Sequence, residues 1–504
     1  MTNSETTGPG ARGAPPPAPV APGPPAPGFL DNDAQAAPLN VGSLLSSLFS
    51  WPAFSATWNA QRFARLRREL AWIFAGSLLT FPAALLSIKA FTKLLGSRGY
   101  GVLALGLTVS AFLGSFLYGP LLNVVTRFFP IHREKATLPI YFGALRRAYS
   151  IAVAISLPLG ALAAIWIGRA YGTEWGWVVF LSVTYCVVAG VNGSMLALFS
   201  VVRRRKIVAL LGAADAWLRV TLGLVFVLFL ARSPVMVLAG MVCGTLLVVM
   251  AQSVLLRRFS DFTAAYERSK VDPGALARAG REMFAFGATF VLWSGLGVLS
   301  TNGDRWVTEY LIGTSALGIY TAVFQVANAP VAIIYGLLTQ FMVPIALQRA
   351  GSSETREQMR RATKLVYQFM LVLALVTAAG GVVLVLFSRP ILLLLTSPAI
   401  AEAHRLLGIL FASMVAFQLG QLAAQVGTIH CRPMRYWYCY FVNAAATVGF
   451  SLFLGKRLGI YGIAMAMLLS NVAYLISVLY TNRTMRSASA GVAAPPQEFG
   501  REGS

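Results

Sequence analysis

From residue 72 onward the chain consists of apolar runs about twenty residues long, separated by short stretches that hold nearly all of its charge. Wound as a helix at about 1.5 Å per residue, a run of that length crosses a hydrocarbon core about 30 Å thick. The runs lack strict apolar/polar alternation, which argues against a transmembrane β-barrel. Only 12% of the 504 residues are charged and 57% are hydrophobic, whereas a soluble chain carries about 25% charge. The expected class is therefore all-α: a polytopic integral membrane protein of about 12 transmembrane helices.

The runs fall near 72–92, 100–124, 148–168, 175–199, 207–231 and 234–255, and then near 284–310, 318–345, 364–387, 403–427, 436–455 and 459–480. The stretch 256–283 is the longest polar connection between them and divides the spans six and six. The domain expectation follows. Residues 1–64, rich in Pro, Ala and Gly at the start, read as a disordered cytoplasmic tail, with room for an interfacial segment at Leu39 to Phe54. Residues 65–258 form the first lobe, 259–283 the inter-lobe linker, 284–482 the second lobe and 483–504 a C-terminal tail.

Lysine and arginine set the expected orientation. With a cytoplasmic N-terminus, 30 of the 41 lie in inside segments, 10 in outside connections or outer helix ends, and Arg219 lies within a span. That bias places both termini in the cytoplasm. It also accounts for clusters such as Arg203-Arg204-Arg205-Lys206 as topology determinants, with contacts to anionic membrane lipids or partners as the alternative. The net charge of +23 is spread over membrane-flanking loops, so it is not a nucleic-acid signature.

An internal repeat constrains the arrangement further. Leu95-Gly96-Ser97-Arg98-Gly99-Tyr100-Gly101-Val102 recurs as Ile312-Gly313-Thr314-Ser315-Ala316-Leu317-Gly318-Ile319, at an offset of 217 residues. Each copy joins the first long span of its half to the second. Each also carries Gly, four residues, then Gly, which suits a tight turn with close helix packing. Six spans separate the copies, an even number, so both face the same side and the halves are parallel repeats.

At these residues the chain resembles a known family. Leu94-Leu95-Gly96-Ser97-Arg98-Gly99-Tyr100-Gly101 is similar to the "LG-x-x-x-YG" turn of bacterial polysaccharide exporters related to O-antigen flippases. That family's second signature, an Asp-Arg pair late in the seventh helix followed by "LG-x-x-x-x-G-x-Y", appears as Asp304-Arg305 and Leu311 to Tyr320. Ile312 stands where the pattern has Leu. The resemblance covers roughly residues 65–485. It implies a fold like the multidrug-and-toxin-extrusion (MATE) transporters, with two parallel six-helix lobes around a central cavity and alternating access. It also implies a lipid-linked oligosaccharide or polysaccharide precursor as cargo, moved from the cytoplasmic to the outer leaflet of the bacterial inner membrane. A polysaccharide polymerase or chain-length regulator is the further partner class it implies.

Ionisable groups within spans are costly and face a bundle interior or a water-filled cavity. In the repeat alignment Lys89 and Lys93 lie at nearly the depth of Asp304, Arg305 and Glu309, so a charged ring in the outer half of the cavity is expected. Interfacial snorkelling is the competing reading. Lys89, Lys93, Arg127 and Arg305 would supply positive charge for a diphosphate linker. Asp215 and Arg219, four apart in the fifth span, read either as a structural pair or as an ion-coupling carboxylate. Gln418, Gln421 and Gln425 fall on one broad helix face and suit sugar hydroxyls or interhelical hydrogen bonds equally. Gln325, Asn328, Gln368, Asn443 and Asn471 are weaker candidates of the same kind.

The three His and four Cys show no metal-ligand spacing, so no cofactor or metal is expected, and no phosphate-binding loop or paired catalytic carboxylates occur. The expectation is a transporter, not an enzyme. An ion-coupled multidrug antiporter of the same fold is the alternative, disfavoured by the lack of a carboxylate in 72–92. A membrane-embedded glycan polymerase or ligase is a further alternative, disfavoured by the short outside connections.

Overall fold

The computed structural model describes residues 60–258, 272–350, 356–430 and 432–491. The tail expected over 1–64 lies, up to residue 59, outside the described residues, as do residues 259–271 of the linker and residues 492–504. Among the described residues the chain is helical and contains no strand.

The helices are α1 Ala60–Glu134, α2 Leu138–Tyr171, α3 Thr173–Val201, α4 Arg205–Phe229 and α5 Pro234–Arg258. They are followed by α6 Pro273–Leu311, α7 Thr314–Ala350, α8 Arg356–Leu386, α9 Ser388–Leu395, α10 Pro398–Ala401, α11 Arg405–Ile429 and α12 Trp437–Gly491. Ten of them are long and apolar enough to cross a membrane. Two of the ten are far too long for one crossing. The 75 residues of α1 would extend about 110 Å as a straight helix. Each of these two contains one residue with non-helical backbone, Gly96 in α1 (φ 68°) and Gly459 in α12 (φ 59°). L-residues rarely adopt such dihedrals, and glycine meets no Cβ clash there. Divided at those glycines, α1 gives limbs 60–95 and 97–134, and α12 gives 437–458 and 460–491. The ten continuous helices thereby become twelve segments, six from α1–α5 and six from α6–α12.

Helix α6 begins within the stretch 259–283 assigned to the linker. Asp272 caps it, its two carboxylate oxygens accepting from the N–H groups of Gly274 (2.9 Å) and Ala275 (3.0 Å), with Pro273 at the first helical position. Those donors, Gly274 first, hold the exposed Asp272 carboxyl below the usual carboxylate range. The contribution of this cap is present above the ordinary carboxylate pKa and is lost as pH falls through the lowered value.

The repeated glycine turn joins the two lobes. Gly96 and Gly313 both take positive φ (68° and 104°) and reverse the chain at the same end, here termed the turn end. Five residues further on, Gly101 packs against the carbonyl of Thr314 and the N–H of Gly318. Gly318 packs in the same way against the carbonyl of Ser97 and the N–H of Gly101. The two contacts are related by the repeat offset, so a pseudo-twofold axis passes between these glycines. A Cβ on either would overlap the partner backbone. Around the crossing one buried cluster draws on both lobes, including Phe91, Leu103 and Leu238 from the first and Tyr320, Phe324 and Leu410 from the second.

Toward the opposite end, which carries the linker, the lobes pack asymmetrically. Helix α6 runs along the second limb of α1, with Trp306 edge-on to Phe112 (6.5 Å between ring centres) and Phe286 edge-on to Phe128 (5.5 Å). The symmetry-related pair, the first limb of α1 and helix α7, instead encloses a cavity.

Gly318→Ala should destabilise the protein by about 1–3 kcal/mol through overpacking at the crossing, read as a lower thermal unfolding midpoint in detergent. Gly336→Ala on the same helix, where a Cβ meets open space, should be neutral or stabilising. Equal midpoints for the two variants would remove the glycine crossing as the constraint on lobe approach.

Candidate substrate cavity

The inter-lobe cavity has a volume of about 490 Å³ and is lined by both limbs of α1, by α4, α5 and α7. Its roof at the turn end is Tyr100, whose hydroxyl donates to Gln325 Oε1 (3.0 Å) across the lobe boundary. Along the first limb of α1 it presents Ser77, Thr80 and Ser87. These hydroxyls donate to carbonyls of their own helix (2.6–3.2 Å), leaving oxygen lone pairs for a ligand. Arg219 contributes a guanidinium from α4. It is ion-paired to Asp215 (3.0 Å) and donates to the Tyr185 hydroxyl (2.8 Å). Asp215 is buried and Arg219 partly exposed, so the pair lies at the cavity wall with its charge largely compensated.

A second cavity, of about 220 Å³, lies within the second lobe between α6, α7, α11 and α12. Arg305, Asn302, Asn328, Gln418 and Asn471 contribute its polar groups, and Phe324 and Phe417 its aromatic walls. Arg305 donates to Thr108 Oγ1 of the first lobe (3.3 Å), and its guanidinium lies over the Phe324 ring (5.2 Å to the centroid).

The residues expected to form one charged ring are distributed over separate contacts. Lys89 donates to the backbone carbonyls of Leu393 and Thr396, each at 2.7 Å. It thus closes the C-terminus of the short helix α9 and bridges the lobes at the turn end. Cations are favourable at that helix end because its last carbonyls lack helical partners. Lys93 is exposed on the same limb, one turn before Gly96. Asp304 is fully buried and accepts from the Tyr320 hydroxyl. Glu309 is half-buried and accepts from the Thr314 hydroxyl (2.7 Å), bracing the second glycine turn. Arg127 is exposed, in the part of α1 toward the linker end.

The amides divide likewise. Gln325 lines the inter-lobe cavity, and Asn328 and Gln418 line the second-lobe cavity. Gln421 accepts from the Tyr440 hydroxyl (2.8 Å). Asn443 donates to Asn471 (3.1 Å), which donates in turn to Ser413 (2.9 Å to its hydroxyl), tying α11 to α12. Tyr100, Tyr185 and Thr108 were not singled out from sequence. Tyr100 stands within the repeated turn, whereas Tyr185 and Thr108 sit in ordinary apolar helix and carry no sequence signal of their roles.

Asp215→Asn should lower the unfolding midpoint, corresponding to about 2 kcal/mol for a charged hydrogen bond lost at a partly buried site. Combining it with Arg219→Gln should recover part of that loss, because the variant pair no longer holds an uncompensated guanidinium. A double variant less stable than both single variants would show that the two groups do not act as a pair.

Comparison with known proteins agrees with this architecture. The fold is similar to an inward-facing multidrug resistance MATE family transporter of the MOP superfamily, at 13% identity and a TM-score of 0.59, covering 84% of this chain and 96% of that one. It is also similar to the lipid II flippase MurJ in an inward closed conformation, at 11% identity and a TM-score of 0.61, covering 82% and 87%. A third structure, the eukaryotic MATE transporter AtDTX14, gives 13% identity, a TM-score of 0.57 and coverage of 86% and 100%. No curated protein matches the chain in sequence. Residues 66–349 match the family model described as polysaccharide biosynthesis protein, and the chain belongs to that family.

Proposed function

We propose that the protein is a flippase that moves a lipid-linked oligosaccharide or polysaccharide precursor from the cytoplasmic to the outer leaflet of the bacterial inner membrane. Alternating access of the inter-lobe cavity would carry the cargo, with both termini cytoplasmic. The observation that carries the reading is the cavity between the first limb of α1 and α7. It is closed at the turn end by the Gly101–Gly318 crossing and the Tyr100–Gln325 bond, and it is lined by serine and threonine hydroxyls, Gln325 and Arg219. Such a lining receives a glycan's hydroxyls while the lipid tail stays in the bilayer. Membership of the polysaccharide biosynthesis family supports a glycan cargo, and one protein of similar fold is itself a lipid II flippase.

Alternating access requires the turn end to open. Among the described residues the polar contacts that must release there, besides the Gly101–Gly318 crossing and the buried cluster around it, are the carbonyl contacts of Lys89, the Tyr100–Gln325 bond and the Arg305–Thr108 bond. Each of these polar contacts between lobes is worth about 0.5–3 kcal/mol net.

In proteoliposomes, labelled lipid-linked oligosaccharide should become accessible on the far leaflet in the presence of the purified protein. Absence of flipping together with efflux of cationic dyes would favour the multidrug antiporter. Lys89→Met should raise labelling of Leu103→Cys by a membrane-impermeant maleimide from the turn end, in a background lacking the native cysteines. Unchanged labelling would show that the Lys89 contacts do not gate that side.

A further inference from the structure

Between α8 and α11 the chain reverses through the eight-residue helix α9 and the short α10. The span in α8 covers 30 residues up to Leu386, about 45 Å as helix, enough to cross the hydrocarbon core and reach the headgroups. Helix α9 therefore begins where the chain leaves the membrane at the turn end. Its residues divide by face. Leu392 is fully buried, and Ile391 and Leu395 pack against the cluster that surrounds the glycine crossing. The opposite face carries Arg389, Leu393 and Leu394 and continues the exposed Leu386 and Phe387 at the junction with α8. Leu386 is 73% and Leu394 72% exposed, so no other part of the described chain covers this face.

A continuous apolar face with an exposed cation beside it matches the boundary between headgroups and acyl chains. Leucine and phenylalanine reach the acyl chains there, while the Arg389 guanidinium meets lipid phosphate. The face is continuous with the exposed Val382, Val383 and Val385 of the α8 span, and this continuity favours lipid over a protein as its cover. The C-terminus of α9 is tied to the other lobe. Thr396 directs its N–H and its hydroxyl to the Leu392 carbonyl (2.7 and 2.6 Å), and Lys89 of the first lobe donates to the carbonyls of Leu393 and Thr396. Backbone carbonyls at membrane depth require a donor. When Lys89 withdraws, those two carbonyls need water, and α9 must lift outward to meet it. A helix held at the boundary by its apolar face keeps the same carbonyls where Lys89 reaches them.

We propose that α9 is an interfacial latch: it docks on phospholipid of the leaflet at the turn end, and through Lys89 it keeps the two lobes closed there. The leaflet thus acts on the lobe seam from outside the cavity. Loss of the apolar face frees α9 and weakens the Lys89 contacts without altering a cavity residue. The latch does not depend on which cargo the inter-lobe cavity carries.

The test uses the full chain, in a background lacking the native cysteines, reconstituted into vesicles of phosphatidylethanolamine and phosphatidylglycerol. A bimane fluorophore on Leu394→Cys should be quenched by lipids spin-labelled near the headgroup and not by iodide in the water. Quenching by iodide alone would place α9 in solvent, and quenching by neither would place it against protein; each result overturns the latch. Leu393→Ser combined with Leu394→Ser should raise several-fold the labelling of Leu103→Cys by a membrane-impermeant maleimide from the turn end. Phe284→Ser, at an exposed apolar position of α6 toward the linker end, should leave that labelling unchanged, which separates the latch from a general loss of lipid contact. Adding Lys89→Met to the serine pair should give no rise beyond the larger of the two effects, because both act through one contact. Unchanged labelling in the serine pair, an equal rise in Phe284→Ser, or independent rises from Lys89→Met and the serine pair would overturn the latch. Flipping of a lipid-linked glycan, or its absence, bears on the proposed function alone.

Discussion

The contact on which the rest of the structure depends is the crossing of Gly101 and Gly318. Two helix backbones approach there so closely that neither position tolerates a side chain. In a bilayer, lipid is as apolar as a leucine side chain, so helices associate through close packing and polar contacts more than through a hydrophobic driving force. A glycine pair supplies such an approach. Because the two glycines occupy equivalent places in the repeat, the crossing also sets the symmetry axis of the molecule. The Tyr100–Gln325 and Arg305–Thr108 bonds join the lobes across the same boundary, and the inter-lobe cavity is the space left below it.

Charge inside the helical bundle is handled in three distinct ways. Lys89 satisfies helix-terminal carbonyls, Asp215 and Arg219 neutralise each other, and Asp304 is held by a tyrosine hydroxyl. Arg305 follows none of these. It donates to Thr108 and lies over the Phe324 ring at the border of the second-lobe cavity.

Much of the fold was legible in the sequence, because its determinants are local and periodic. Apolar runs of about twenty residues specify helices and their number, and the spans near 72–92 and 100–124 correspond to the two limbs of α1. The glycine turn was legible because positive φ at Gly96 and Gly313 is a property of the chain itself. The site was less legible. Lys89 looked like a cavity cation by its depth, yet its partners are backbone carbonyls some 300 residues away, and backbone carbonyls have no sequence signature. Gln421 and Gln418 share a helix face, but one meets Tyr440 and the other a cavity, a difference made by the neighbouring helices.

By itself the sequence determined a polytopic helical membrane protein, its two sets of six spans and the turn that relates them. These follow from hydropathy, helix length and the dihedral freedom of glycine, all of which act within a few residues. The tertiary structure alone decided that the second glycine of each turn packs against the other lobe, that one symmetry-related helix pair packs while the other encloses a cavity, and that Arg305 reaches Thr108 of the other lobe. Those outcomes depend on which surfaces meet across the lobe boundary, and contact between distant segments is set by the packing of the whole bundle.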